Sequence, residues 1–238
     1  MTIKNSRFEL IDCIRGGAIV AMMAYHFAFD LNMQGYILQD LNHNFSWQLA
    51  RSLILGTFLF IAGFSMALAA HQTLKKRVAR LLIIAACAVL VSVTSYFMFA
   101  DSWIFFGVLH FMVVASLICW LLMPYKKLIL VLSVLLTIVG IFYQSTMFNQ
   151  TFLQWVGMMT HKPITEDYVP ILPWIGVMMF GIIVGQWALT RINSWPLTCT
   201  PHASLSALQW LGRHSLAVYM LHQPLLLGAL SIFGVLYR

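Results

Sequence analysis

Seven apolar segments follow one another along this chain, near residues 10 to 33, 47 to 70, 79 to 100, 103 to 123, 127 to 144, 171 to 190 and 214 to 236. Each is close to the ~20 residues that a helix needs to cross a bilayer. Hydrocarbon offers no water to backbone N–H and C=O groups, so such segments must satisfy them internally, as helices do. Only 9% of the residues are charged, against about 25% in soluble proteins. In 238 residues there is little room beside seven spans for a soluble domain. The expectation is an all-α, polytopic transmembrane helical bundle of about seven spans, forming a single integral-membrane domain over 1-238.

The basic residues predict how the spans are oriented. The N-terminal tail carries Lys4 and Arg7, and the second-to-third connection Lys75, Lys76, Arg77 and Arg80. The fourth-to-fifth connection has Lys126 and Lys127, and the sixth-to-seventh Arg191 and Arg213. The alternate connections hold only Arg51, Lys162 and the terminal Arg238. Ten against three predicts a cytoplasmic N-terminus and an outer C-terminus, because basic residues are retained on the cytoplasmic side. Asp12 and Arg15 interrupt the first apolar stretch, which lacks a small-residue cleavage pattern, so it reads as a retained span and not a removed signal peptide.

That first segment also carries Asp12, Arg15, His26 and Asp30. An ionisable group at mid-membrane costs roughly 2.5 to 3.5 kcal/mol even on lenient insertion scales, so such groups tend to line a functional interior. At ~100° per residue, Arg15 to His26 makes three turns with about 20° left over, and Asp12 to Asp30 makes five turns. All four share one helix face. Arg15 and His26 stand about 16 Å apart along it, with Asp12 one turn before the arginine and Asp30 one turn after the histidine.

His26 is the leading catalytic candidate. A neutral imidazole accepts a proton near pH 7, and Asp30 is spaced to orient the ring and stabilise its charged form. The alternative is a buried histidine bonded to a neighbouring helix. Arg15 lies in Ile14-Arg15-Gly16-Gly17, where paired glycines allow close approach of backbone or ligand. Its guanidinium could hold a phosphate from the cytoplasmic side, or pair with Asp12, or be oriented by it.

Further candidates lie on other segments. His110 sits about two turns into the fourth, where it could contact an acceptor or serve as a satisfied structural histidine. The last span opens Gly212-Arg213-His214 and continues to Tyr219, His222 and Pro224. Tyr219 and His222 are one turn apart, and the proline frees backbone carbonyls, which suggests a cavity lining. Arg213 and His214 mark a boundary or contact phosphate. The longest outer connection, Ser145 to Pro170, includes Trp155, Glu166, Asp167 and Tyr168. It could cover a polar acceptor, or be an interfacial segment anchored by its aromatic residues.

The net charge of +7 does not indicate nucleic acid, because the basic residues sit between apolar segments. Cys13, Cys87, Cys119 and Cys199 include no C-x-x-C pair, so neither a disulfide framework nor a thiolate metal site is supported, and no metal is expected. Membrane histidines leave a haem or quinone protein open, although no pair is placed for axial ligation. No internal repeat supports an inverted-repeat transporter.

The chain resembles the heparan-alpha-glucosaminide N-acetyltransferase catalytic-domain family in its compact bacterial form. The resemblance rests on Arg7-Phe8-Glu9-Leu10-Ile11-Asp12-Cys13-Ile14-Arg15-Gly16-Gly17 running on to His26 and Asp30, with Thr57 to Gly63, Phe106 to His110, Asp167 to Trp174 and Gly212 to Pro224 in that order. Arginine, ten residues, then histidine is similar to the signature of the membrane acyltransferase-3 group. The resemblance implies transfer of an acyl group, acetyl foremost, from cytoplasmic acyl-CoA to a sugar-type amine or hydroxyl on the outer side of a cell inner membrane. Carried over to this chain, it implies His26 as the catalytic histidine and Arg15 as a donor-side or structural arginine. The reading of the residues adds Asp30 to orient His26, Asp12 to orient Arg15, basic residues such as Arg80, Arg213 or Lys76 for the CoA phosphates, and His110, Asp167, Tyr219 and His222 as acceptor-side candidates. The chain lacks a sizeable outer domain of the kind on the lysosomal enzyme, so heparan sulfate is not carried over as acceptor. The partners expected are the two small molecules and membrane lipids, with a homodimer open. The alternative function is a transporter moving a small or sugar-linked solute along the same stripe without chemistry.

Overall fold

Eight α-helices make up this computed structural model, which describes residues 9–41, 43–191 and 203–236. Lys4, Arg7, Cys199 and Arg238 lie outside them. The helices are α1 (Glu9–Met33), α2 (Phe45–Leu68), α3 (Leu74–Met98), α4 (Val108–Leu122), α5 (Lys126–Phe142), α6 (Trp174–Thr190), α7 (Ala203–Arg213) and α8 (Ser215–Leu236). Two 3-10 turns, Thr146–Asn149 and Gln154–Val156, interrupt the long connection before α6. Among the described residues there is no strand, as expected of an all-α chain.

Each expected apolar segment contains a helix, but the ends differ for local reasons. α3 starts at Leu74, ahead of the apolar run, because Lys75, Lys76 and Arg77 are good helix formers that a hydropathy reading trims away. α4 starts only at Val108, after Gly107, and α6 only at Trp174, with Pro173 as its N-cap residue. Among the described residues four helices are long and apolar enough to cross a membrane: α1, α2, α3 and residues Ser215–Ile232 of α8. α4 and α6 are apolar but shorter. In α3 only 11% of the most apolar window is buried. Val89, Leu90, Val93 and Phe97 face outward, which suits lipid and not water. α7, by contrast, is a short separate helix closed by a turn at His214.

The chain forms two compact units, one of Met1–Ile61 with Asn193–Arg238, the other of Ala62–Ile192. In the first, α1 packs along α7 and then along α8. The approach to α7 is governed by two glycines. A Cβ on Gly16 would overlap the carbonyl oxygen of Leu208, and one on Gly212 that of Asp12. The neighbouring Gly17 faces open space, so only one member of the glycine pair makes the contact. Cys13 reaches the same helix, its Sγ donating to the Leu205 carbonyl at 3.8 Å. Cys13 and Gly16 on α1 meet Leu205, Leu208 and Gly212 on α7, the spacing of one face on each helix.

In the second unit α3 pairs with α4 and α5 with α6. Small residues again set the spacing. Gly176 lies against Ser133 and Thr137 of α5, and Gly63 and Gly185 join the last turns of α2 to α6 at Met178 and Phe64. Phe111, Ile129, Met178, Met179 and Ile182 are fully buried there.

Gly212→Val should force α1 and α7 apart. Overpacking of this kind costs about 1–3 kcal/mol, and a lowered melting temperature of the detergent-solubilised protein, read by intrinsic fluorescence, is the expected outcome.

Candidate functional site

The face of α1 that carries the four ionisable residues meets α7 at one end and α8 at the other. At the first end Asp12 bridges two guanidiniums. Its Oδ1 lies 3.3 Å from Nη1 of Arg15 and its Oδ2 3.3 Å from Nε of Arg213. Arg15 also donates to the Gly212 carbonyl at 3.3 Å, and Arg213 to Oε1 of Gln209 at 3.3 Å. One carboxylate thus faces two cations, leaving a net positive charge at this end. The close approach at Gly212 makes the arrangement possible, because it brings the α7 terminus onto Asp12. His214 packs on Trp210, with ring centroids 4.5 Å apart.

At the other end His26, Asp30, Tyr219 and His222 come together, joined by Gln223. The rings of His26 and His222 lie with centroids 5.0 Å apart and a 58° tilt. Gln223 Nε2 donates to Asp30 Oδ1 at 2.8 Å. Asp30 is 1% exposed and His222 6%, whereas His26 is half-buried. Nδ1 of His222 is 2.6 Å from the carbonyl oxygen of Tyr219, one turn back on α8, and the two rings are 5.5 Å apart. The buried carbonyl oxygen of Gln223 has no partner among the described residues, so it can accept from a hydroxyl or amine. Sequence reasoning passed over Gln223. Its only signal was adjacency to His222, which places it where α8 crosses the second station of the stripe.

His110 and Asp167 lie in the second unit. Asp167 sits at the start of α4, its Oδ2 accepting from Val108 N at 2.9 Å. A carboxylate there satisfies an otherwise orphaned helix donor and suits the positive end of the helix dipole. His110 accepts from Gly107 N at Nδ1, 3.2 Å away, and its Nε2 is 3.0 Å from Ser92 Oγ. Ser92 in turn donates to the Ile104 carbonyl at 2.6 Å. Nδ1 is thus the acceptor and Nε2 the donor, which makes the ring neutral and fully engaged. The 145–170 connection is tied down alongside. Glu166 accepts from Ser102 Oγ at 2.6 Å, Thr165 Oγ1 donates to the Trp103 carbonyl at 2.9 Å, and Tyr168 donates to the Gln154 carbonyl at 2.6 Å. Burial pushes the Tyr168 phenol above its ordinary pKa, so it remains a donor.

Arg80 lines a cavity of about 60 Å³ between the end of α2, the start of α3, α4 and α6, together with Gln72, Arg77, Ser116, Trp120 and Met178. Arg77, unassigned by its sequence, is held there by donating from Nε to the Gln72 carbonyl at 3.2 Å. The cavity brings together two cations, hydrogen-bonding groups and an indole, but its size leaves space for a phosphate-sized group and not for a planar or apolar part beside it, since small-molecule sites run to roughly 300 Å³ or more.

Among the described residues there is no cluster of three metal-ligating side chains. The sequence model of the family described as "Heparan-alpha-glucosaminide N-acetyltransferase, catalytic" matches residues 7–224. No curated protein and no solved structure matches the chain.

Asp167→Ala should leave the first turn of α4 with an unmatched donor. Loss of a helix cap costs about 1 kcal/mol, seen as a lower melting temperature with the helical circular dichroism retained.

Proposed function

The chain belongs to the heparan-alpha-glucosaminide N-acetyltransferase catalytic family, and from that membership we propose that it is a multi-pass acyltransferase of the cell inner membrane. It takes an acyl group, acetyl foremost, from cytoplasmic acyl-CoA and delivers it to a sugar-type amine or hydroxyl on the outer side. Seven spans with a cytoplasmic N-terminus agree with the distribution of basic residues. The observation that carries the reading is the meeting of His26 and Asp30 on α1 with His222 and Gln223 on α8, a hydrogen-bonding cluster on helices apolar enough to cross a membrane.

The division of labour follows from the chemistry of each group. On the donor side, guanidiniums match phosphate oxygens with forked N–H donors. Arg15 and Arg213 offer them in the first unit, Arg77 and Arg80 in the cavity of the second, with Lys76 nearby in sequence. Asp12 holds Arg15 and Arg213 in place. The thioester reaches His26, which either deprotonates the acceptor or briefly carries the acyl group. In the first route the acceptor's nitrogen or oxygen bonds to the acyl carbon as the carbon–sulfur bond breaks. The proton lost by the acceptor passes through His26 to the thiolate, which leaves as CoA thiol. A buried carboxylate at Asp30 stabilises positive charge on the imidazole while it forms. Tyr219 and His222 are the acceptor-side groups of this reading in the first unit; His110 and Asp167, engaged with Ser92, Gly107 and Val108 at the start of α4, hold the second unit together.

A solute transporter would use the same polar stripe without a donor. Incubation of purified protein with labelled acetyl-CoA separates the two, because the enzyme releases CoA and forms labelled product while a carrier does neither. His26→Ala should abolish transfer while the protein still inserts and purifies as a folded species; retained turnover would remove His26 from the mechanism. Replacing Arg77 and Arg80 together with alanine should raise KM for acetyl-CoA by roughly tenfold or more, the scale of a lost charge-assisted hydrogen bond, with kcat little changed in steady-state assays.

A further inference from the structure

A hydroxyl inside an apolar helix commonly bonds back to a carbonyl three or four residues earlier, and this chain follows the habit. Thr94 donates to the Leu90 carbonyl at 2.8 Å, Ser133 to Leu130 at 2.8 Å, Thr137 to Ser133 at 2.7 Å and Ser231 to Leu227 at 2.8 Å. Ser116, in the middle of α4, departs from it. The residue is 7% exposed, and among the described residues its hydroxyl has no hydrogen-bond partner. What it lines is the cavity of about 60 Å³ in the second unit. A buried polar group left without a bond is costly, so this hydroxyl calls for a ligand in the cavity that bonds it.

The walls define the chemistry of that ligand. Ser116 and Trp120 are one turn apart on α4, and Arg77 and Arg80 one turn apart on α3. Ser116 and Met178 are the buried lining residues, whereas Gln72 and Arg80 are exposed, so the hydroxyl lies at the closed end and a guanidinium at the open one. Arg77 uses its Nε on the Gln72 carbonyl, which leaves its two terminal nitrogens to the cavity. Among the described residues neither arginine takes part in an ion pair. The acidic residues of this unit are Asp101, Glu166 and Asp167. They gather beyond the far end of α3, where Glu166 N donates to the Ser102 carbonyl and Asp167 caps α4, and that end is about 27 Å along the helix from Arg80. Two positive charges thus face the cavity with no carboxylate on its walls.

We propose that Ser116, Arg77 and Arg80 form a binding site for one phosphate group. Two guanidiniums match its double charge, their forked N–H groups match its oxygens, and the Ser116 hydroxyl donates to the innermost oxygen. The apolar walls at Met66, Leu81 and Met178 keep water from screening the charges. The volume is far below the roughly 300 Å³ of small-molecule pockets, so a single tetrahedral group enters and a nucleotide ring stays outside. Three molecules carry such a group: the acyl donor, whose ribose bears a phosphomonoester, a phospholipid with a phosphomonoester headgroup, and free phosphate. Only the first of these sources rests on the acyltransferase reading.

Melting temperatures of the delipidated, detergent-solubilised protein, read by intrinsic fluorescence against inorganic phosphate at constant ionic strength, test the site. Native protein is expected to show a saturable rise. Ser116→Ala should weaken the apparent affinity roughly tenfold, the scale of one hydrogen bond to a charged group, and Arg80→Gln by at least as much. Absence of a saturable rise, or equal affinities in the native protein and the variants, overturns the proposal. Should Ser116→Ala fail to fold, Arg80→Gln, at an exposed position, decides by the same measurement. Acetyl-CoA, its 3′-dephospho form and short-chain phosphatidate then identify the source. Stabilisation by acetyl-CoA that weakens on loss of the 3′-phosphate in native protein and not in Ser116→Ala assigns the group to the acyl donor. A response to phosphatidate that Ser116→Ala weakens assigns it to a lipid, and a response to inorganic phosphate alone assigns it to the free anion. Phosphate binding that depends on Ser116 in a protein that releases no CoA removes the acyltransferase reading and leaves the site standing.

Discussion

Asp12, Arg15, His26 and Asp30, which α1 carries among apolar neighbours, are each met by a group on α7 or α8, and that matching is what the first unit is built around. A lone charge in such surroundings is strongly unfavourable. Asp12 is covered by Arg15 and Arg213, and Asp30 by Gln223. The matching in turn requires backbone approaches that only glycine permits. With any side chain at Gly16 or Gly212 the two helices would separate, and the Arg213 guanidinium would be withdrawn from Asp12.

The two ends of the α1 face are chemically different. At the Asp12 end one carboxylate is shared by two guanidiniums, each with further N–H groups, so an incoming anion meets a net positive charge. The His26 end is built from different groups. The groups there are an imidazole pair, a carboxylate held by an amide, and a backbone carbonyl. Low polarity around them strengthens each hydrogen bond and raises the cost of leaving one unmade. Such an end suits proton movement, and the other suits anion binding.

The second unit shows how residues with similar sequence signals take different positions. His110 and Asp167, both polar and both flanked by aromatic or apolar residues, are drawn into the start of α4. There an aspartate 59 positions away caps the helix and the histidine bonds back to Gly107 and across to Ser92. Arg77 and Arg80, which look like ordinary boundary charges, instead line a cavity with Trp120. Helical spacing could have hinted at this, since residues three apart share a face, but the indole comes from α4 and no local pattern connects the two.

Much of the architecture was legible from residue order. The all-α class, the position of each apolar helix and the common face of Asp12, Arg15, His26 and Asp30 follow from local periodicity, because helix geometry repeats every ~3.6 residues wherever the chain lies. The family, too, was readable in ordered motifs along one strand of sequence. What periodicity cannot supply is the partner across the gap. Whether Asp12 faced one arginine or two, which glycine of the pair at 16 and 17 touched a neighbour, and that Gln223 and His222 would be handed to Asp30 and His26, depended on residues nearly two hundred positions apart. Only tertiary packing decides such contacts, because they arise from the crossing of two helices, and no spacing within a single helix encodes where another will cross it.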